Sequence, residues 1–323
     1  MKLNNINFIK FINLNFVFEK NPSIAVAVSG GPDSMALLFL LNKWIKLEKG
    51  EITALIIDHR LRLNSSNEAQ KISKYLNKNK INTKILTVYK RNVKKRSMNE
   101  ARINRYNLLT NYCKKENILH LFVGHHKDDN LETFFNRKIS GSDFEGLQSM
   151  KFLTLKNNIN IIRPLLNYSK NNILNYLLIN KIIFVEDSYN TNYNYTRPVI
   201  RKFLQDTKPQ ILFEILNEFN IIKNNLDLYN QMISEILLNN ITYLDKLKIE
   251  FNCKNFVKFD KLIAEKLVKK IYNFFYFYDV IIRSKKVQIL IKETKNKKFQ
   301  SFNLKGLLVK KVNNSLIFSK KTI

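Results

Sequence analysis

Short apolar runs alternate with helix-like stretches along the first two hundred residues. Four runs have the length and the β-branched content of buried strands, at residues 24–28, 52–57, 84–88 and 119–123. Apolar residues with helical spacing follow these runs, at residues 35–47, 67–77, 99–116 and from 131 onward. Strands that alternate with helices predict an α/β fold with a doubly wound, mainly parallel sheet.

The pattern changes in the second half of the chain. Three further elements are expected before residue 205: a strand-like piece from 161, a helix at 169–180 and a strand at 182–185. Later elements are helices at 211–238 and 259–278 and strand-like pieces at 299–312 and 316–318. The sequence therefore predicts three parts: a first domain at 1–205, a helical linker at 206–240 and a small basic α+β domain at 241–323.

A polar loop with two glycines separates the first predicted strand from the first long helix. It reads Ser-Gly-Gly-Pro-Asp-Ser from Ser29 to Ser34. Gly30 and Gly31 allow a tight turn, and the N–H groups at the start of the helix attract an anion. Asp33 repels an anion unless a divalent cation bridges the two. The alternative is an ordinary strand–turn–helix cap; a Walker A loop is excluded because no Gly-Lys-Ser/Thr follows.

Polar residues also follow the second and fourth predicted strands. Asp58 and His59 are either a turn residue and a solvated ring or the edge of a nucleotide pocket. Residues 125–132 read His-His-Lys-Asp-Asp-Asn-Leu-Glu. Asp128 and Asp129 suit a helix start through their charge alone, but carboxylates that face an anion loop also suit Mg²⁺. The adjacent histidines lack the spacing typical of a zinc site.

The charge of the chain is strongly positive. It contains 55 Lys and Arg residues against 26 Asp and Glu, which gives a net charge of +29. This charge favours a polyanionic partner, with nucleic acid as the first candidate, although a general enrichment in lysine contributes. Arg102, Arg105 and Tyr106 lie near one helical face, as a solvated face or as phosphate ligands. The basic stretches 90–96 and 283–323 allow the same two interpretations.

The cysteines and the apolar runs indicate the compartment. Cys113 and Cys253 are the two cysteines of the sequence, and they form no Cys-x-x-Cys pair. Their number and separation fit a reducing environment. The first twenty residues lack the apolar core of a signal peptide, and no apolar run reaches membrane-spanning length. We therefore expect a cytoplasmic protein without membrane contact.

Taken together, these motifs resemble those of the tRNA(Ile)-lysidine synthetase family, within the N-type ATP pyrophosphatase (PP-loop) superfamily. The similarity runs from about residue 23 to 205, in segments 29–34, 58–62, 99–106, 124–133, 141–147, 163–166, 186–190 and 197–201. The family usually has Arg-Asn-x-Ile-Arg where this chain has Arg197-Pro198-Val199-Ile200-Arg201. Proline removes a donor and fixes φ, so the roles carried over to this segment are weakened. The chain also resembles a short version of the family.

The resemblance implies a Rossmann-like PP-loop ATPase that uses ATP and Mg²⁺ to join free lysine to a tRNA(Ile) with a CAU anticodon. ATP adenylates the C2 oxygen of the wobble cytidine and releases pyrophosphate. The lysine amine then attacks C2 and expels AMP, which leaves lysidine. Oligomeric state stays open, with a homodimer as one alternative.

The resemblance also implies roles for individual residues. It gives nucleotide binding to Ser29, Gly30, Gly31, Pro32, Asp33, Ser34, Asp58 and His59. It gives Mg²⁺ binding to Asp33, Asp128 and Asp129, and catalysis to Asp33, Arg102, His126, Asp129 and Glu132. The tRNA contacts fall to Arg105, Arg197, Arg201, Lys285, Lys286, Lys297 and Lys298. Glu132 or His126 is expected to orient the lysine or the base.

Three other functions compete with this interpretation. A tRNA thiolase on the same fold needs cysteines for sulfur or for a cluster, and the two separated cysteines count against it. NAD or GMP synthetases act on small molecules and do not need a charge of +29. A nucleic-acid-binding protein with a degenerate nucleotide site would not need an intact loop at residues 29–34.

Overall fold

The computed structural model describes residues 2–58, 60, 65–88, 98–142, 146–147, 150–185, 196–253, 256, 259–276, 282–296 and 298–320. Within them, the side chains of 98, 99, 101, 196, 197 and 205 are not described. The chain forms two compact units, Met1–Asn220 and Ile221–Ile323. None of the described helices has both the length and the apolar content needed to cross a lipid bilayer.

In its described residues, the first unit contains six strands and the helices that cover them. The strands are β1 (Ser23–Val28), β2 (Glu51–Asp58), β3 (Asn82–Thr87), β4 (His120–Phe122), β5 (Leu153–Lys156) and β6 (Ile159–Ile162). The helices are α1 (Asn5–Asn15), α2 (Pro32–Leu47), α3 (Ser65–Lys78), α4 (Met98–Lys115), α5 (Lys127–Ile139), α6 (Lys170–Ile179), α7 (Thr196–Asp206) and the first part of α8 (Pro209–Asn240). A 3-10 turn, Pro164–Asn167, precedes α6.

These strands form one sheet in the order β3-β2-β1-β4-β6-β5. All neighbours are parallel except β5 and β6, which are antiparallel. The central strand β1 has helices on both faces, because its side chains alternate: Ile24 and Val26 pack in the same core as Trp44, and Ala25 packs in the core of Leu109. The predicted α/β class with a mainly parallel sheet is therefore confirmed.

In its described residues, the second unit contains an antiparallel sheet, the rest of α8 and two further helices. Its strands are β7 (Ile241–Leu244), β8 (Lys248–Asn252), β9 (Ser301–Leu304), β10 (Leu307–Val312) and β11 (Ser315–Lys320), in the order β7-β8-β11-β10-β9. Helix α9 (Lys261–Tyr276) and helix α10 (Ser284–Thr294) bury their apolar faces in the same core as Phe251 and Phe318. Gly306 turns the β9–β10 hairpin with a φ of +94°, a value that favours glycine.

Several local expectations were wrong. Residues 182–185 form no strand; instead the N–H of Val185 donates to the carbonyl of Gly30 (2.9 Å), so this segment pairs with a loop. Helix α5 begins at Lys127 rather than at Leu131, because His126 caps it. Strands β5, β7 and β8 and helices α7 and α10 were not predicted. β5 and β7 are edge strands of four residues, and Leu153 and Leu155 of β5 are exposed, so their apolar residues do not mark a buried face.

Candidate active site at the carboxyl ends of β1 and β4

The loop after β1 is held in shape by its own serines. The Ser29 N–H donates to Ser34 Oγ (3.2 Å), and Ser34 Oγ donates to the Gly31 carbonyl (3.0 Å). The Gly31 N–H donates to Ser29 Oγ (3.3 Å). Gly30 has a φ of +83°, and a Cβ there would lie 2.3 Å from Ile72 Cδ1. The loop is thus preformed, and Gly30 is favoured by its backbone conformation, while a Cβ there would also require the Ile72 side chain to move.

Helix α2 follows this loop directly and turns its N-terminus toward the end of β4. Gly31 is its N-cap, Pro32 is its first residue and Asp33 lies in its first turn. The N–H groups of a first turn have no partner inside the helix, so they are available to an anion. A Cβ on Gly124, after β4, would lie 3.0 Å from the Asp33 carbonyl oxygen. Since β1 and β4 flank the point where the strand order reverses, this crevice is the expected ligand site of an open α/β sheet.

His126 joins the two helix starts that face this crevice. The His126 N–H donates to Asp129 Oδ2 (3.0 Å), and the Asp128 N–H donates to His126 Nδ1 (3.2 Å). Because Nδ1 accepts this bond, the neutral ring carries its proton on Nε2. His126 Nε2 lies 3.5 Å from Asp129 Oδ2 and 3.7 Å from Asp33 Oδ1. The buried ring therefore has carboxylates of two helices at one edge.

The same carboxylates control the protonation of His126. Burial by itself lowers the pKa of the ring, but the hydrogen bond of the protonated ring to the Asp128 carboxylate and the charges of Asp129 and Asp33 outweigh it and raise the pKa above its usual value. The pKa of Asp128 changes the other way. Burial acts to raise it, while His126 and the Lys170 N–H lower it more strongly. Asp128 therefore remains ionised across the neutral range.

Lys170, the first residue of α6, completes this group and was not predicted. Its Nζ donates to both carboxylate oxygens of Asp33, at 2.6 and 2.8 Å. Its N–H donates to Asp128 Oδ2 (2.7 Å). Ser169 caps the helix and accepts a hydrogen bond from the Asn172 N–H. A lysine directly after a serine cap is the one signal in the sequence, because cations are disfavoured at the N-terminus of a helix.

Glu132 and Arg201 form a second charged pair nearby on α5 and α7. Arg201 donates from Nε to Glu132 Oε1 (2.8 Å) and from Nη2 to Oε2 (3.3 Å). The Glu132 side chain is 2% exposed and that of Arg201 is 36% exposed. The hydrogen bonds to Glu132 raise the pKa of Arg201. Helix α7 tolerates Pro198, because this residue lies in the first turn of the helix, where a backbone N–H makes no intrahelical hydrogen bond.

Asp58 lies at the end of β2 and organises the following turn. Its carboxylate accepts hydrogen bonds from the Arg60 N–H (3.0 Å), Ser65 Oγ (2.8 Å) and Ser66 Oγ. Burial alone raises the pKa of Asp58, but the hydrogen bonds from Ser66, Arg60 and Ser65 outweigh it and lower the pKa. His59 lies outside the described residues.

The predicted arginines of α4 surround one aromatic ring. Arg102 and Arg105 place their guanidinium carbons 5.5 and 5.7 Å from the centre of the Tyr106 ring. The Nζ of Lys156 approaches the same ring to 4.8 Å. Burial lowers the pKa of Lys156. Cation–π contacts of this kind keep the three cations close together.

The remaining predicted tRNA contacts lie in the second unit or outside the description. Lys285, Lys286 and Lys298 are exposed. Lys297 and the basic stretch 90–96 lie outside the described residues, as do 186–190 and the side chain of Arg197. Across the described part of the chain, no group of three or more His, Cys, Asp or Glu side chains is arranged to hold a metal ion.

The fold and the loop between β1 and α2 define a PP-loop domain, and the model of this family matches residues 3–208. The chain is 34% identical over 319 residues to the tRNA(Ile)-lysidine synthase of Rickettsia akari. This alignment covers 94% of this chain and 70% of that protein. The chain belongs to the tRNA(Ile)-lysidine synthase family. The resemblance found in the motifs is thereby confirmed.

Other relatives match a smaller share of the chain. The tRNA(Ile)-lysidine synthase of Orientia tsutsugamushi is 38% identical over 216 residues, 67% of this chain and 48% of that protein. The enzyme of the same name from Wolbachia pipientis is 40% identical over 202 residues, 61% of this chain and 46% of that protein. The chain thus spans about half the length of these two curated relatives.

A solved structure shares the fold at low sequence identity. It is the U34-tRNA thiolase NcsA of Methanococcus maripaludis with its [4Fe-4S] cluster, with a TM-score of 0.54 and 17% identity. The match covers 68% of this chain and 78% of that chain. At this identity the similarity concerns the fold alone.

Proposed function

We propose that this chain is an ATP-dependent ligase that joins lysine to C2 of the wobble cytidine in a tRNA(Ile) with a CAU anticodon. The observation that carries the proposal is the 34% identity to a tRNA(Ile)-lysidine synthase across 94% of the chain. The preformed loop from Ser29 to Ser34 at the start of α2 supports the use of a nucleotide.

In the first step, the C2 oxygen of the cytidine attacks the α-phosphorus of ATP, and the bond to pyrophosphate breaks. The loop N–H groups and the hydroxyls of Ser29 and Ser34 bind the departing pyrophosphate. Gly30 and Gly31 allow its oxygens to approach the backbone. Arg102 is placed in this scheme as a further phosphate ligand.

The carboxylates at the site fit a magnesium ion. Asp33 already accepts a cation, the ammonium of Lys170, and its side chain is 28% exposed. Asp33 and Asp129 both approach the same edge of His126. Mg²⁺ is usually held by one or two carboxylates together with phosphate oxygens, so Asp33 with Asp128 or Asp129 would hold it. Such an ion would offset the negative charge that develops on the pyrophosphate.

In the second step, the lysine amine attacks C2, the bond from C2 to the AMP oxygen breaks and the amine loses a proton. We assign to His126 the orientation of the lysine or the base in this step, because its buried ring lies against Asp33 and Asp129. Glu132 holds Arg201 by two hydrogen bonds, which keeps the guanidinium oriented. We assign to this pair the orientation of the substrates.

The tRNA is proposed to bind through the positive charge of the chain. The net charge of +29 attracts a polyanion over a long range. The proposed contacts are Arg105, Arg197, Arg201, Lys285, Lys286, Lys297 and Lys298. Free lysine as the second substrate, a cytoplasmic location and a homodimer stay predictions from the sequence.

Thiolation is disfavoured by the cysteines. Cys113 is buried in the first unit, and burial raises the pKa of its thiol to about 12. Such a thiol is inert as a nucleophile or ligand at neutral pH. Cys253 belongs to the second unit. Two cysteines also cannot supply the usual four ligands of an iron–sulfur cluster.

The proposal is tested by incubating the protein with labelled lysine, ATP, Mg²⁺ and a tRNA(Ile) with a CAU anticodon. We expect label in the tRNA that depends on ATP and is missing when the wobble base is uridine. If the tRNA is adenylated but takes up no lysine, the nucleophile is wrong. If no adenylation occurs, the chain is a nucleic-acid-binding protein rather than a ligase.

A further inference from the structure

The position of Lys170 is unfavourable for the helix to which it belongs. Lys170 is the first residue of α6, so its positive charge lies at the positive end of the helix dipole. Natural sequences break local rules of this kind mainly where a function requires it. The charge of Lys170 therefore needs a reason beyond the stability of α6.

The surrounding contacts fix Lys170 at the crevice. Its N–H is bonded to Asp128 Oδ2, and the N–H of Lys127 donates to the carbonyl of Tyr168 (2.9 Å). The starts of α5 and α6 are thus joined at two points. The Nζ of Lys170 reaches across to Asp33 in the first turn of α2. Three helix N-termini converge where this ammonium lies.

The ammonium group has capacity for another acceptor. A lysine has three N–H donors, and two of them are used by the oxygens of Asp33. The side chain is 36% exposed, so a ligand can reach it. Asp33 belongs to the loop from Ser29 to Ser34, which has anion-binding geometry, so the ammonium of Lys170 lies beside that loop.

We propose that Lys170 is a phosphate-binding residue of the nucleotide site. In the ligand-free protein its ammonium neutralises Asp33; in the occupied site it bonds to a phosphate oxygen of the pyrophosphate moiety. This inference rests on the proposed use of a nucleoside triphosphate. It adds a ligand from α6 to a site that the sequence motifs placed on α2 and α5.

A purely structural role for Lys170 makes a different prediction. If the lysine serves only to neutralise Asp33, its removal matters only while the carboxylate is present. An Asp33→Asn background removes that need, so a structural Lys170 becomes dispensable for anion binding. A phosphate-binding Lys170 remains important in the same background, because its bond to the ligand does not involve Asp33.

The test measures binding of inorganic pyrophosphate in EDTA to the full chain by ³¹P NMR titration. We expect Lys170→Met to weaken binding by about tenfold or more, as for loss of a hydrogen bond to a charged group. Lys170→Arg keeps the charge and should restore most of the affinity. Lys181→Met, which removes an exposed lysine at the other end of α6, is the matched control and should leave binding unchanged.

The decisive comparison is Asp33→Asn against Asp33→Asn/Lys170→Met. A loss of about tenfold in the double variant supports the proposal, and equal affinity of the two proteins overturns it. Thermal unfolding of each variant shows whether it is folded. If the wild-type protein binds no pyrophosphate, the inference and the nucleotide site both fail. If binding changes as expected but no lysine is transferred to tRNA, only the proposed function fails.

Discussion

The pair Glu132–Arg201 allows a quantitative prediction, because its two members differ in burial. Glu132 is 2% exposed, whereas 36% of the Arg201 side chain is in contact with solvent. Arg201→Met leaves a buried carboxylate without its cation, which typically costs 3–5 kcal/mol. Solvent access at Arg201 favours the lower end, about 3 kcal/mol. Glu132→Gln leaves a guanidinium that water still reaches, so the cost is about 1–2 kcal/mol.

These free energies translate into measurable changes in Tm. For a unit of about 200 residues, 1 kcal/mol shifts Tm by roughly 2–4 °C. We therefore expect Arg201→Met to lower Tm by about 6–12 °C and Glu132→Gln by about 2–8 °C. The double variant should be more stable than Arg201→Met, because it has no unpaired buried charge. Trp44, the single tryptophan of the chain, is buried in the first unit, so its fluorescence reports this transition.

An exposed pair on the same helix provides the control. Lys138 of α5 bonds to Glu218 of α8, and their side chains are 46% and 48% exposed. Exposed pairs contribute at most about 1 kcal/mol, so Lys138→Met should change Tm by less than about 4 °C. Two results would contradict this reasoning: a Tm of Arg201→Met as high as that of the control, or a decrease in Tm for Glu132→Gln as large as for Arg201→Met. Either result would mean that the buried carboxylate does not depend on Arg201.

Two further predictions concern the crevice and the second unit. Asp33→Ala should abolish the transfer of lysine and leave tRNA binding nearly unchanged in a filter assay; lost tRNA binding would contradict the assignment. In the second unit, burial alone raises the pKa of Glu265, but hydrogen bonds from Lys269, Ser284 and Gln288 outweigh it and lower the pKa to about 2. Because the pKa is lowered, the stabilisation is complete above pH 4.5, falls as the pH decreases toward 2 and amounts to at most about 3 kcal/mol. Glu265→Gln should remove this acid sensitivity in hydrogen exchange of residues 261–276, and unchanged sensitivity would refute it.

The parts of the fold that the sequence predicted are those determined by local chemistry. The runs at β1 and β2 are mainly apolar because both faces of a central parallel strand are buried. The turn at Gly30 and Gly31 follows from the glycines themselves. Edge strands such as β5 and β7 have four residues each and are largely exposed, so their sequences carry little signal. The prediction of a strand at residues 182–185 was wrong because the segment pairs with no strand and instead makes a tertiary hydrogen bond from Val185 to Gly30.

The site was predicted in part for the same reason. Motifs within a few residues of a strand end, such as Asp33 and Asp128, could be placed at one edge of the sheet from topology alone. Lys170 could not, because it lies 137 positions from Asp33 and meets it only through the tertiary packing of α6 against α2. The pairing of Glu132 with Arg201, which are 69 positions apart, could not be predicted from the sequence for the same reason.

The crevice depends on contacts between helix starts more than on any single loop. Asp33 of α2 is bonded to Lys170 of α6, Asp128 of α5 accepts the backbone N–H of Lys170, and His126 lies against Asp33 and Asp129. Each of the three helix N-termini is therefore held by a side chain of another helix. Residues that share partners in this way do not act additively. Loss of Asp128 should consequently weaken the Asp33–Lys170 contact as well, so that removing both carboxylates costs less than the two separate losses combined.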